Sequence, residues 1–159
     1  MSITIRPGQV TDNSTIQALY QEAIQAQPLL ALREVPQVSP DQNESDPTRI
    51  LLALKADQII GYIAARPFSP RQAYRYTYQV QMFLAEEDWT FEDCQVLYQA
   101  MEDHLIAQGL RTLLVTLTNQ QISQIHFFQQ MDYRIAGQLP QVNPTDHQVE
   151  MVWLTKSLD

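Results

Sequence analysis

The chain has 159 residues and a formal net charge of −8, and 45% of its residues are hydrophobic. This length suits one domain over residues 1–159, and the negative charge argues against nucleic acid or an anionic membrane as partner, because phosphate binding needs clustered Lys and Arg. The single cysteine, Cys94, excludes an internal disulfide and a cysteine-based zinc site. No apolar run resembles a signal peptide or a membrane span, so we expect a soluble cytoplasmic protein.

The first part of the chain predicts a strand, a helix and a β-hairpin. Residues 2–7 alternate apolar and polar side chains, and residues 11–25 carry an apolar stripe with helical spacing. Three residues can cap that helix: Asp12, Asn13 and Ser14. The stretch 28–47 contains four prolines and is either a wall of a substrate site or a mobile excursion. Residues 49–68 predict a hairpin, with two residues at its turn, Ala56 and Asp57.

The second part predicts alternating strands and helices. Residues 72–85 alternate strictly, which predicts a strand with an apolar face and a polar face. The apolar face carries Tyr74, Tyr76, Tyr78, Val80, Met82 and Leu84. Residues 90–109 predict a helix with a capping box at Thr90 and Asp93 and a C-terminal Gly109.

The last third of the chain predicts a strand over 111–119, a helix over 120–131 with Ile122, Ile125 and Phe128 on its apolar stripe, and closing strands over 132–139 and 147–156. The predicted order is therefore β-α-β-β-β-α-β-α-β-β. Alternation of this kind predicts an α/β sandwich around a mixed sheet.

This order, with the stretches MEDHLIAQGLRTLLVTLTN and IHFFQQMDY, resembles the GCN5-related N-acetyltransferases (GNAT), and most of all their phosphinothricin-type branch. The stretch HFFQQMDYRIAG is similar to an aromatic helix followed by Gly-Tyr in that family, with Asp132 in place of the glycine. The resemblance implies the acyl-CoA N-acyltransferase fold, a mixed β-sheet flanked by helices in a three-layer α/β/α sandwich. It also implies acetyl transfer from acetyl-CoA, as co-substrate, to a primary amine of a small molecule or peptide.

The resemblance also assigns roles to residues. It implies that pantetheine pairs with the backbone of the fourth strand and that the pyrophosphate sits on the N-terminus of the next helix. The implied cofactor-binding residues are Met82, Phe83, Leu84, Ala85, Trp89, Thr90, Phe91, Asn119 and Phe128. The catalytic candidates are Gln79, Gln81 and Tyr133. No metal site is expected, because the three histidines lack metal-site spacing.

The implied cofactor loop, about EEDWTFED, departs from the family pattern. It has no glycine, and side chains and carboxylates both oppose the approach of a phosphate to backbone N–H groups. No Lys or Arg occurs between Arg75 and Arg111. Alternatively, these acids only favour the helix dipole, with Asp93 in the place of the anion. If the side chains and carboxylates do oppose a phosphate in this way, acetyl-CoA binding is expected to be weak or lost.

The implied general base and acid also depart from the family. The base position falls at Gln79, whose amide cannot accept a proton near neutral pH, and the proton donor falls at Phe128. Gln79 and Gln81 either align a water chain or are only the polar face of a sheet, and Phe128 is either in the site or in the core. Tyr133 is a substitute acid or a core residue.

Three further polar residues keep two interpretations each. Asn119 either holds pantetheine or caps a helix. His104 and His126 lie on predicted helices and are candidate bases, although a lone helical histidine is more often a surface or capping residue.

Three hypotheses follow from the sequence. The first is a working N-acetyltransferase, which family membership favours. The second is a catalytically degenerate GNAT-fold protein that acts as a non-enzymatic binding or regulatory module. The third is a structural homodimer that uses the aromatic strands around Tyr74, Tyr76 and Trp153.

Overall fold

The computed structural model describes residues 3–26, 36–38, 48–85, 90–140 and 148–158. Its strands are β1 Thr4–Pro7, β2 Arg49–Lys55, β3 Gln58–Pro67, β4 Thr77–Leu84, β5 Thr112–Thr118, β6 Arg134–Leu139 and β7 Met151–Ser157. Its α-helices are α1 Asn13–Ala26, α2 Phe91–Ala107 and α3 Ile122–Gln130. The strands form a mixed seven-stranded sheet in the order β1-β2-β3-β4-β5-β7-β6, flanked by helices, so the predicted element order and fold class are confirmed.

Two compact units make up the chain. Unit 1 consists of residues 1–66 and 81–105, and unit 2 of residues 67–80 and 106–159. The single domain expected over residues 1–159 stays a prediction. No helix in the described ranges combines the length and the apolar character needed to cross a membrane.

In unit 1, the β2–β3 hairpin turns where the sequence predicts. Ala56 and Asp57 have φ angles of 51° and 63°, and the flanking residues Lys55 and Gln58 pair directly. Two consecutive residues with positive φ match the right-handed twist of the strands they join. The buried residues of the hairpin pack with helix α1 and one residue of the segment 36–38, in a core of Ile16, Val38, Ile50, Leu52, Leu54, Tyr62 and Ala64.

Among the described residues, the side chains of Asp12 and Asn13 at the start of helix α1 bind groups that lie outside that helix. Asp12 lies in a 3-10 turn, Val10–Asp12, and accepts a hydrogen bond from the backbone N–H of Gln9 at 2.8 Å. The amide of Asn13 instead donates to the carbonyl of Val38 at 2.9 Å and accepts from its N–H at 2.7 Å. Residues 36–38 are the only part of the predicted loop 28–47 within the described ranges, and both interpretations of that loop concern residues outside them.

In unit 2, the predicted strand over 72–85 is too long at its start. Residues Gln72–Tyr74 form a 3-10 helix, and strand β4 begins at Thr77. Two local bonds explain the difference, from the N–H of Tyr74 to the Arg71 carbonyl and from the N–H of Arg75 to the Gln72 carbonyl. Alternating aromatic residues are equally compatible with an exposed turn, so the pattern could not show where pairing starts.

Three apolar residues predicted on helix stripes lie outside the core. Phe91 is 38% exposed and Ile122 is 60% exposed, while Ile125 is half-buried. The buried residues of helix α3 are Phe127 and Phe128. A helix of nine residues turns only a narrow face inward.

Candidate active site

Within unit 2, strands β4 and β5 pair in parallel. Their ladder joins Thr77–Gln79 to Thr112–Leu114. Strand β5 pairs with β7 along its whole length. The second half of β4, residues 81–84, belongs to unit 1.

In unit 1, that second half of β4 is held against β3. The N–H of Ala85 donates to the Ile60 carbonyl at 2.9 Å. Because backbone groups alternate along a strand, those of Met82 and Leu84 point to the other edge. Gly61 allows the close approach, since a Cβ there would collide with the Phe83 carbonyl oxygen and lie 2.9 Å from the Leu84 Cα.

The N-terminus of helix α2 follows closely in the same unit. Thr90 is its N-cap, because Thr90 Oγ1 accepts from the N–H of Asp93 at 3.1 Å and the Thr90 carbonyl accepts from Cys94 at 3.0 Å. Thr90 is thus confirmed as the cap, whereas the reciprocal bond of the predicted capping box, from the Thr90 N–H to the Asp93 side chain, stays a prediction. Trp89, Glu86, Glu87 and Asp88, which the sequence also assigns to this turn, lie outside the described ranges.

The carboxylate of Asp93 has a partner that sequence reasoning missed. Asp93 is buried, and its Oδ2 lies 3.9 Å from Nζ of Lys55 at the end of β2. Lys55 is 38 positions earlier in the chain, so no local pattern could reveal it. No Lys or Arg is close to this turn in the sequence, but Lys55 is close to it in the structure.

Cys94 in the same turn is not a nucleophile. Burial, with a smaller contribution from the charge of Asp93, raises the pKa of the Cys94 thiol to about 12. Since the thiolate is the reactive form, this side chain is inert near neutral pH and packs as a small apolar residue.

In unit 2, the candidate Gln79 has a defined partner. Its Nε2 donates to Oγ1 of Thr116 on β5 at 3.2 Å. Thr116 lies directly opposite Trp153 on β7, whose indole is 43% exposed and donates from Nε1 to Sδ of Met151. Neither Thr116 nor its relation to Gln79 carries a sequence signal, because it arises from strand register. The second catalytic candidate, Gln81, is half-buried on β4 in unit 1.

Phe128 and Tyr133 form one buried aromatic group. Their ring centroids are 5.2 Å apart, and Phe127 lies 5.2 Å from Phe128 on the helix. Phe128 and Tyr133 are 3% and 4% exposed. Both rings lie in the core of unit 2. A core position was one of the two interpretations that the sequence allowed for each residue.

The C-terminus of helix α3 explains why these rings meet. The N–H of Tyr133 donates to the Phe128 carbonyl and that of Asp132 to the Gln129 carbonyl, which is the Schellman pattern. Asp132 has a φ of 73°, in the left-handed region that favours glycine. The position where the resemblance expects glycine is therefore one that requires this backbone conformation.

The side chain of Asn119 joins two chain segments through two hydrogen bonds. Its Nδ2 donates to the Gln148 carbonyl and its Oδ1 accepts from the N–H of Glu150, both at 3.0 Å. It does not cap helix α3, whose N-cap is Gln121, so that alternative is wrong. His104 and His126 are exposed on their helices, and no group of three or more metal-ligating side chains converges among the described residues.

The model of the acetyltransferase (GNAT) domain matches residues 12–153, which is most of the chain. The chain belongs to the GNAT family. Its membership confirms the resemblance seen in the sequence. Among curated protein sequences none matches the chain.

Solved GNAT structures share the fold at low sequence identity. An N-acetyltransferase from Staphylococcus aureus Mu50 has a TM-score of 0.84 at 20% identity, with 100% of both chains covered. A phosphinothricin acetyltransferase from Sinorhizobium meliloti, solved in complex with acetyl-CoA, has a TM-score of 0.80 at 17% identity, with 99% of this chain and 89% of that chain covered. The yncA protein from Salmonella typhimurium, solved with acetyl-CoA, has a TM-score of 0.83 at 16% identity, with 100% and 95% covered.

Proposed function

We propose that this GNAT protein binds acetyl-CoA and transfers its acetyl group to a primary amine of a small molecule or peptide. The observation that carries the proposal is the match of the acetyltransferase (GNAT) domain over residues 12–153, in a chain where a capped helix N-terminus follows strand β4. Two of the structural neighbours contain acetyl-CoA, which supports the same co-substrate here.

Unit 1 contains groups that fit such a ligand. The backbone of Met82 and Leu84 points away from β3 and is suited to pair with an amide-bearing pantetheine arm. The first turn of α2 suits a pyrophosphate through its dipole, and Lys55 adds a positive charge beside it. Thr90 and the carboxylates of Glu92 and Asp93 oppose this fit, so we expect weak binding.

Bound acetyl-CoA supplies a thioester whose carbonyl carbon an amine can attack. The amine must first lose a proton, and Gln79 can orient a water or the amine through its carbonyl oxygen while its amide donates to Thr116. Because an amide does not take the proton, we propose that the proton leaves through water. We propose Tyr133, which is buried beside Phe128, as the group that protonates the leaving thiolate.

The alternative function is a degenerate GNAT module that binds a partner without catalysis. The amides at Gln79 and Gln81 and the phenyl ring of Phe128 favour it, since none of them exchanges a proton. We retain the expectation of a cytoplasmic protein without nucleic-acid or membrane partners, and of a homodimer that light scattering can detect.

Titration of acetyl-CoA while the melting temperature is followed tests the proposal. A ligand at 100 times its Kd stabilises the folded state by about 2.7 kcal/mol. A saturable rise, followed by release of free CoA thiol when amines are added, supports the enzyme. Cys94 is buried, so we expect it not to react with the thiol reagent that detects free CoA in the folded protein. No rise at millimolar acetyl-CoA would leave the binding module as the function.

A further inference from the structure

An exposed cluster in unit 2 combines three aromatic side chains with two arginines. We call it the Arg–aromatic cluster, and it consists of Phe68, Tyr74, Arg75, Tyr76 and Arg111. The three aromatic residues are 40–49% exposed. A turn at the surface usually carries polar residues. Several large rings exposed together are therefore typical of an interaction surface.

The cluster is built around the ring of Tyr76. The guanidinium carbons of Arg75 and Arg111 lie 4.5 Å and 5.0 Å from its centroid. Backbone bonds fix the arrangement, because the Tyr76 carbonyl accepts from the N–H groups of Arg111 and Thr112. The rings of Phe68 and Tyr74 meet edge to face at 6.0 Å beside it.

Toward the residues that the structure describes, both arginines use few of their side-chain donors. Arg75 uses one N–H toward the Gln72 carbonyl at 2.9 Å, out of the five that a guanidinium carries. Neither Arg75 nor Arg111 forms an ion pair within the described ranges. A guanidinium can bind a carboxylate through two parallel hydrogen bonds.

The charge pattern of the chain singles out this surface. Residues 58–85 contain no Asp or Glu, and neither do residues 104–131, although the whole chain carries −8. A long nucleic acid would be repelled by the net charge of the whole molecule, whereas a short acidic peptide experiences chiefly the local field, because salt screens charges beyond about 10 Å.

We propose that the Arg–aromatic cluster docks an acidic peptide segment of a partner protein, with carboxylates on the two arginines and an apolar side chain against Phe68 and Tyr74. The residue types fit the role, since arginine and aromatic side chains dominate the binding energy of protein interfaces. The inference is independent of acetyl transfer, because it requires neither acetyl-CoA nor Gln79.

The test is fluorescence anisotropy with a fluorescein-labelled nonapeptide in which Glu alternates with Leu. Saturable binding is expected at about 0.1 M salt, where the screening length is about 10 Å. The double variant R75Q/R111Q should weaken it roughly tenfold, the effect of losing charge-assisted hydrogen bonds on both arginines. The control R134Q/K156Q removes the same charge from strands β6 and β7 and should change it less than twofold.

Outcomes of three kinds would overturn the proposal. One is the absence of saturable binding by the native protein. A second is an equal loss in R75Q/R111Q and R134Q/K156Q, or equal binding of a peptide with Gln in place of Glu, since then only net charge or apolar contact matters. The third is tighter binding of a labelled single-stranded RNA than of the peptide, lost in R75Q/R111Q, which would assign the cluster to nucleic acid.

Discussion

Nζ of Lys55 lies 3.9 Å from Oδ2 of Asp93, so the end of strand β2 delivers a positive charge to the first turn of helix α2. Asp93 is buried there, while Glu92 beside it is exposed. The turn therefore contains both an opposing and an attracting charge for a phosphate. Which of them controls ligand affinity can be measured by changing each.

Neutralising the acids should tighten acetyl-CoA binding, and removing the lysine should weaken it. A charge near a helix terminus contributes about 0.3–1 kcal/mol, so we expect the Kd to fall roughly 2–5-fold in E92Q/D93N and to rise as much in K55M. Isothermal titration calorimetry measures both, with K156M on strand β7 as the control. A weaker affinity in E92Q/D93N would show that the carboxylates help to form the site.

Gly61 should not tolerate a methyl group. A Cβ there meets the backbone of strand β4 at Phe83 and Leu84, and backbone cannot move aside as a flexible side chain can. We expect G61A to lose about 1–3 kcal/mol of unfolding free energy. The control is G137A on strand β6, whose Cβ would lie 3.8 Å from Trp153 Cε3, an ordinary contact. Urea denaturation compares the two, and equal stability would contradict the close approach.

Asp132 should be replaceable by glycine with a gain in stability. An L-residue in the left-handed region costs about 1–2 kcal/mol, less for Asp, so D132G is expected to gain about 0.5–1 kcal/mol. That corresponds to a rise of about 1–4 °C in Tm for a chain of this size. D132V, with a β-branched side chain at the same φ, should be less stable than the native protein. Calorimetry in which D132V equals D132G would be incompatible with the Schellman geometry.

The Arg6–Asp12 pair predicts a dependence of stability on pH. The hydrogen bond from Arg6 is the largest cause that lowers the pKa of Asp12, and the Gln9 N–H bond lowers it further. A lowered pKa in the folded state means that the stabilisation is present above the unfolded pKa of about 3.9 and is lost as the pH falls through the folded pKa.

D12N should therefore be less stable than the native protein at pH 5–7, by about 0.2–1 kcal/mol, because Asn can still accept from the Gln9 N–H but loses the charged pair with the half-exposed Arg6. The difference should shrink below about pH 4. Thermal denaturation over this range checks it, with D57N in the exposed hairpin turn as the control. A difference that stays constant down to pH 2 would mean that the charge of Asp12 contributes nothing.

A carboxylate in place of the Gln79 amide should restore a general base. Such a group typically contributes 10²–10⁴-fold, and at a position not selected for it we expect Q79E to raise the rate of amine acetylation at least about tenfold. Q81E, two residues further along the strand, is the matched control. A larger gain in Q81E than in Q79E would move the catalytic position along β4.

Sequence alone was sufficient where local chemistry decides. The element order, the Ala56–Asp57 turn, the Thr90 cap and the Gly109 terminus, with its φ of 84°, follow from periodicity and from residues whose backbone preferences are strong. The family resemblance was equally accessible, because the order of elements and the aromatic helix before Asp132 are continuous in the chain. The residue roles that the resemblance implies remain predictions.

Contacts between residues that are distant in the sequence were decided by the tertiary structure alone. Strand register placed Thr116 against Gln79 and opposite Trp153, and the hairpin brought Lys55 to Asp93 across 38 positions. The segment before β4 became an exposed turn, because local hydrogen bonds replaced the strand that alternation predicted. Alternation and spacing describe a residue's own element, whereas pairing between distant elements depends on packing that no local pattern encodes.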